Sequence, residues 1–161
     1  MATQKLQASR ALIVLPSDST NIPSINLVHS GVNTSTGTNL LISITATFIT
    51  DNVQAGDVVY NISDGTSATV VSVQSETQLT LNSNIFLLGG KSFSIYQQSS
   101  QTGLGNQGCV LYVGTTGDVK VITSGNDTIT FINVQSGTFF PVNVIKVFAT
   151  GTTASNIVAL W

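Results

Sequence analysis

Few residues in this chain are able to do chemistry. Its 161 residues include one cysteine, Cys109, and one histidine, His29. Its seven carboxylates are Asp18, Asp51, Asp57, Asp64, Glu76, Asp118 and Asp127. A thiolate nucleophile needs a neighbouring base, so Cys109 and His29 are the only pair of that type. Cys109 opens an apolar strand, where a free cysteine is usually core. His29 ends another strand, and nothing in the spacing brings the two together. One Cys and one His exclude a zinc cluster of usual composition, and a single Cys excludes an internal disulfide. Glycoside hydrolysis needs two carboxylates facing one cleft. All seven acids lie in or near turn sequences, where Asp bonds its own backbone. Asp64, Asp118 and Asp127 offer surface ligands for calcium, but without EF-hand spacing. The expectation is a chain with no catalytic residue, no metal and no cofactor.

Two further patterns invite a functional reading. Gly103-Leu-Gly-Asn-Gln-Gly108 spells G-x-G-x-x-G. A dinucleotide site needs a strand before those glycines and a helix after them. Here a Ser/Gln-rich stretch precedes and the strand Cys109–Val113 follows, so the glycines read as a domain joint. Tyr60, Tyr96 and Tyr112 are candidates for a sugar platform. Strand tyrosines more often pack with the hydroxyl at the rim.

The positioning elements follow from composition. Charged residues make up 7% of the chain, with 5 Lys+Arg against 7 Asp+Glu and a net charge of −2. That balance leaves no basic footprint for nucleic acid. Ser, Thr, Asn and Gln fill 64 positions. Thr (22), Val (18) and Ile (14) are the β-branched residues that suit a pleated surface. No window keeps a helical apolar period for three turns, so the fold class is all-β. Strands are expected at Ala11–Leu15, Ile25–His29, Leu40–Ile49, Asp57–Ile62, Ser67–Val73, Gln78–Leu81 and Lys91–Tyr96. More follow at Cys109–Val113, Val119–Thr123, Thr128–Asn133, Val142–Ala149 and Ile157–Trp161. Asp64-Gly65, Gly117-Asp118 and Gly125-Asn126 read as hairpin turns. Apolar runs such as Val142–Ala149 are too short to span a membrane. The opening residues lack the apolar stretch of a signal peptide, so a cytoplasmic origin is expected.

Two polar stretches, residues 31–39 and 98–107, read as linkers. They bracket a block, 40–97, that reads as an inserted small domain. Residues 1–30 and 108–161 then form a discontinuous anchoring β-domain, a small sandwich or barrel. Termini are usually loose and polar. A chain finishing Ile157-Val-Ala-Leu-Trp161 therefore reads as a strand that closes the core or enters a partner. Ile157, Leu160 and Trp161 are docking candidates, with Phe148 and Tyr112.

Particular residues carry a resemblance. Ala11-Leu-Ile-Val-Leu-Pro-Ser-Asp-Ser-Thr-Asn-Ile-Pro23 resembles A-x-x-x-x-P-S-D-x-x-x-x-P. Leu111-Tyr-Val-Gly-Thr-Thr-Gly-Asp-Val-Lys-Val121 is similar to L-Y-V-G-x-x-G-D-V-x-V. Thr130-Phe-Ile-Asn-Val-Gln-Ser-Gly-Thr-Phe-Phe-Pro-Val142 and Ala149-Thr-Gly-Thr-Thr-Ala154 through Trp161 resemble the motifs that complete the set. These are the patterns of small virion proteins from tailed bacteriophages and gene-transfer agents, including head spike-base proteins. The block Ala55–Val73, Thr77–Leu81 and Ser92–Tyr96 resembles an SH3- or OB-like barrel module of marine and cyanobacterial phage virion proteins.

The resemblance implies a non-enzymatic virion subunit, assembled in a host bacterial cytoplasm. It would be a capsid decoration, cement or head spike-base protein. Its partners would be copies of itself, the major capsid or vertex adaptor protein, and a fibre protein. Neither nucleic acid nor a membrane is among them. Two alternatives are a baseplate, tail or fibre-connector subunit and a carbohydrate-binding module for host attachment.

Overall fold

β-branched residues set between Gly, Asn and Asp turns produce strands throughout. The computed structural model describes residues 8–24, 26–98 and 108–161, and every element among them is a strand. After β1 (Ala11–Ile13) come β2 (Leu27–Val32), β3 (Leu40–Ile42), β4 (Val58–Asn61), β5 (Thr66–Ser75), β6 (Gln78–Leu81) and β7 (Ser92–Tyr96). The chain continues through β8 (Val110–Val113), β9 (Gly117–Thr123), β10 (Thr128–Val134), β11 (Thr138–Phe139), β12 (Val144–Val147) and β13 (Ile157–Leu160). Two compact units result, one of Met1–Pro16 with Asn106–Trp161, the other of Ser17–Gly105.

The Ser17–Gly105 unit is one antiparallel sheet in the order β2-β7-β4-β5-β6-β3. The long β5 makes it curl. Thr66–Thr69 pair with β4, whereas Val70–Ser75 pair with β6 through two register shifts. Such bulges bend a strand and increase its twist. The curl brings the sheet ends together, where Ser35 bridges Ile42 and the Thr34 N–H donates to the Ile42 carbonyl at 2.8 Å. The result is a small barrel around Leu41, Phe48, Val59, Val70, Leu79, Phe86, Phe93 and Ile95. Phe93 packs against Phe48 and Phe86 at centroid distances of 6.1 and 6.2 Å.

Two sequence expectations change here. Residues 17–30 belong to the barrel rather than to the anchoring domain, because β2 pairs along β7 from Leu27↔Tyr96 to Val32↔Ser92. Stretch 31–39 is not a loose linker either. Asn33 is fully buried, and its side chain donates to the Ser35 and Leu88 carbonyls and accepts the Lys91 N–H. In linker 98–107, Gln98 donates its N–H to Asp57, and the other residues lie outside the described set. The expected strand Leu40–Ile49 stops at Ile42. Beyond it the Glu76 carboxylate accepts the N–H groups of Ile49 and Thr50, holding a turn in place of a ladder.

The other unit is a sandwich of two sheets, β1-β13-β8-β11 and β10-β9-β12. Strand alternation turns Leu111, Val113, Ile157 and Ala159 inward from the first. Val119, Val121, Val144 and Val147 turn inward from the second. The sheets join at a corner where Cys109 and Val144 exchange backbone hydrogen bonds of 3.0 and 2.8 Å. Gly117 opens β9 where Thr153 and Ala154 cross it, and a Cβ there would meet the Ala154 nitrogen at 2.5 Å. β11 was not anticipated as a strand, being two residues pinned to Tyr112 and Val113.

Phe93→Ala empties the centre of the barrel. We expect a loss of about 3–5 kcal/mol, read as a lower urea midpoint for unfolding.

Candidate functional site

Six of the seven acids take part in hydrogen bonds at or beside turns. Asp51 accepts from the Thr47 hydroxyl and from His29 Nδ1, both at 2.7 Å. His29 is wedged between Phe48 and Phe93, with ring centroids 5.2 and 5.8 Å away. Asp64 accepts from Lys91 Nζ at 2.7 Å and from the Asn61 amide at 2.9 Å. Glu76 also accepts the Thr50 hydroxyl at 2.7 Å. Buried Asp57 accepts the Gln54 and Gln98 N–H groups. In the sandwich, Asp118 accepts the Asn133 N–H, and the Asp127 N–H donates to Thr123. Among the described residues no three His, Cys, Asp or Glu side chains gather as metal ligands.

His29 and Cys109 fall in different units, and each is engaged in its own. Cys109 is 2% exposed, and its thiol donates to the Val144 carbonyl at 3.4 Å. Burial pushes the thiol up to about 12. Of the G-x-G-x-x-G run only Gly108 is described. It has φ +73°, and a Cβ there would press on the Val144 backbone. Tyr60 is core, 2% exposed and edge-on to Tyr96, so the three tyrosines form no common platform.

The docking candidates sort by strand parity. Ile157 is 1% exposed, so it is core and not a docking residue. Leu160 and Tyr112 lie on the opposite, outer face of their sheet. Trp161 is half-buried and tied down. Its N–H donates to the Arg10 carbonyl, and its carbonyl accepts the Ser9 N–H. Phe148, just beyond β12, carries Lys120 Nζ at 4.9 Å and Lys146 Nζ at 5.6 Å from its ring centroid.

Register then assembles an outer apolar face on sheet β1-β13-β8-β11. Ile13, Val158, Tyr112 and Phe139 stand side by side in one cross-strand row. Ala11, Leu160 and Val110 form the next. Tyr112 and Phe139 touch with centroids 5.2 Å apart. Ile13 is 47% exposed and Phe139 56%. A hollow of about 400 Å³ adjoins the face, lined by Val110, Phe139, Phe140, Pro141 and Asn143. Sequence reasoning missed Ile13, Val110, Val158 and Phe139. The available signal was an unbroken apolar run in Val110–Val113 and Ile157–Leu160, which marks strands covered on both faces.

No known protein family, curated protein or solved structure matches the chain. No helix among the described residues is long and apolar enough to cross a membrane.

Two outcomes follow from these environments. Asp51, Asp64 and Glu76 are each held below the ordinary carboxylate range. The leading cause is a hydrogen bond, from Thr47, Lys91 and Thr50 respectively. The stability they add is present above the ordinary carboxylate pKa of about 4 and is lost as pH falls through their lowered folded values. Asp57 has the opposite sign. Desolvation raises it, so its contribution is lost as pH rises through the raised folded value. Thr47→Val is expected to move the Asp51 titration up toward the ordinary range in carboxyl carbon NMR. An unmoved midpoint would count against this assignment. Separately, Cys109 is expected to resist a disulfide reagent at mildly alkaline pH in the native protein and to react fully in urea.

Proposed function

We propose that this chain is a non-enzymatic structural subunit of a tailed-phage virion, a capsid decoration, cement or head spike-base protein. Copies of itself and the shell or vertex adaptor are its partners, and a fibre protein is added in the spike-base position. One observation carries the reading. The outer face of sheet β1-β13-β8-β11 presents two apolar rows without a charge, beyond what its own sandwich needs for a core. The motifs that resemble virion proteins, Ala11–Pro23 and Leu111–Val121, contribute Ala11, Ile13 and Tyr112 to that face.

The physics suits repeated docking. Full burial of a side chain such as Ile13 or Phe139 contributes about 1.5–3 kcal/mol. A chain with so few charges accumulates little repulsion when many copies crowd together. Symmetry then repeats a modest contact around the assembly. The alternative as a carbohydrate-binding module loses support from the burial of Tyr60.

Mass spectrometry of particles purified from the source strain tests the proposal. The chain is expected in fixed stoichiometry to the major capsid protein, and its absence from mature particles would overturn the reading. Phe139→Asp is expected to lower occupancy on the particle at least tenfold while the purified variant keeps its circular dichroism and melting midpoint.

A further inference from the structure

Among the described residues the sandwich has one long strand edge with no strand paired to it, and the other edges differ from it. β1 is three residues long, β11 is two and runs toward Pro141, and β12 is engaged by Cys109 at the corner. β10 is the seven-residue edge strand of the sheet β10-β9-β12. Its sequence, Thr128-Ile-Thr-Phe-Ile-Asn-Val134, contains no charge and no proline. Natural edge strands are normally protected by lysine, proline, shortness or a bulge. Here only a register shift after Phe131 interrupts the edge.

Parity shows which backbone groups are free to pair. The Thr123 N–H donates to the Asp127 carbonyl, and Ile129 and Phe131 lie opposite Val121 and Val119. Ile129 and Phe131 therefore exchange hydrogen bonds with β9. The N–H and C=O groups of Thr128 and Thr130 point away from it. Ile129 is 46% exposed and Ile132 71%.

We propose that β10 pairs antiparallel with β10 of a second copy across a two-fold axis at Thr130, merging two three-stranded sheets into one of six strands. The segment is self-complementary about that residue. Thr130 faces its own copy, Thr128 meets Ile132, and Ile129 meets Phe131. A Thr–Thr pair and a β-branched–aromatic pair are favoured cross-strand partners. Free groups at Thr128 and Thr130, with those of Ile132, supply on the order of four to six new backbone hydrogen bonds. Charge permits the approach. Lys120, opposite Thr130 on β9, would stand about three strand spacings from its copy, roughly 14 Å, beyond the usual screening length. A second copy fits this edge because the uncharged strand complements itself about Thr130, setting exposed Ile129 against Phe131 and exposed Ile132 against Thr128. This contact uses a different surface from the apolar sheet face and does not depend on placement in a virion.

Sedimentation of the purified full chain over a dilution series tests the pairing. A reversible dimer is expected. Thr130→Pro removes the central donor on the solvent side of the edge, where proline is tolerated. It is expected to raise the dimer dissociation constant roughly tenfold or more. Thr130→Cys keeps the strand intact and is expected to form an intermolecular disulfide under mild oxidation, since the two Cα atoms would lie about 5.5 Å apart. A strictly monomeric wild type would overturn the proposal. So would a dimer that survives Thr130→Pro, fails to cross-link through Thr130→Cys and is lost in Phe139→Asp. That last pattern would assign the dimer to the sheet face and leave the virion reading standing.

Discussion

Every strand edge carries N–H and C=O groups that must find partners, in the same chain or outside it. This chain meets that demand almost without charge. Lys91 and Asp64 form an ion pair at 2.7 Å, and His29 Nδ1 hydrogen-bonds Asp51. The barrel answers the demand by curvature, because the bulges in β5 swing the sheet until Ser35 reaches Ile42. Asn33 completes the seam. Its backbone pairs with Lys91 and Gly90, and its amide holds the carbonyls of Ser35 and Leu88. The sandwich answers it at one corner, through Cys109 and Val144, and among the described residues no strand pairs with the outer edge of β10.

The same demand explains the fate of the chemical inventory. A carboxylate beside a turn is worth more to the fold as an acceptor for local N–H and hydroxyl groups than as a free acid. Glu76 serves Ile49 and Thr50, Asp57 serves Gln54 and Gln98, and Asp118 serves Asn133. His29 fills a slot between two phenylalanines and uses Nδ1 to reach Asp51. Cys109 is held in its neutral form by burial. In these five residues, Glu76, Asp57, Asp118, His29 and Cys109, the polar group serves loop geometry or core.

How much of this was legible depended on the range of the interaction. Local alternation revealed the all-β class and strands such as Gln78–Leu81, because a period of two is written in adjacent residues. Long-range pairing was not written there. Residues 17–30 looked continuous with the N-terminal strand, and only the pairing of β2 with β7, from Leu27↔Tyr96 to Val32↔Ser92, moves them to the barrel. Asn33 lay in an expected linker and Asn61 in the expected strand Asp57–Ile62, and nothing adjacent to either marked a buried amide. Both are fully buried, and the carbonyls that capture their amides, Leu88 and Ile85, lie far along the chain. Leu40–Ile49 looked like one strand because its residues have β propensity. Glu76, from a distant turn, overrides that propensity. Docking candidates chosen by hydrophobicity alone mixed the two faces, so Ile157 and Leu160 were grouped although they point in opposite directions.

The outer faces of the sandwich show where selection for folding ends. On the sheet β10-β9-β12, parity places Lys120 and Lys146 outward, laid over Phe148. Long cationic stems cover apolar surface there while their heads remain in water. The opposite sheet uses no such device. Its rows Ile13, Val158, Tyr112, Phe139 and Ala11, Leu160, Val110 add nothing to a core already filled by Leu111, Val113, Ile157 and Ala159. A sequence with 64 neutral polar residues available had ample means to cover those positions with Thr or Ser, as it does at Thr128 and Thr130. The outer face of one sheet is thus apolar and unshielded, whereas on the other Lys120 and Lys146 cover the ring of Phe148.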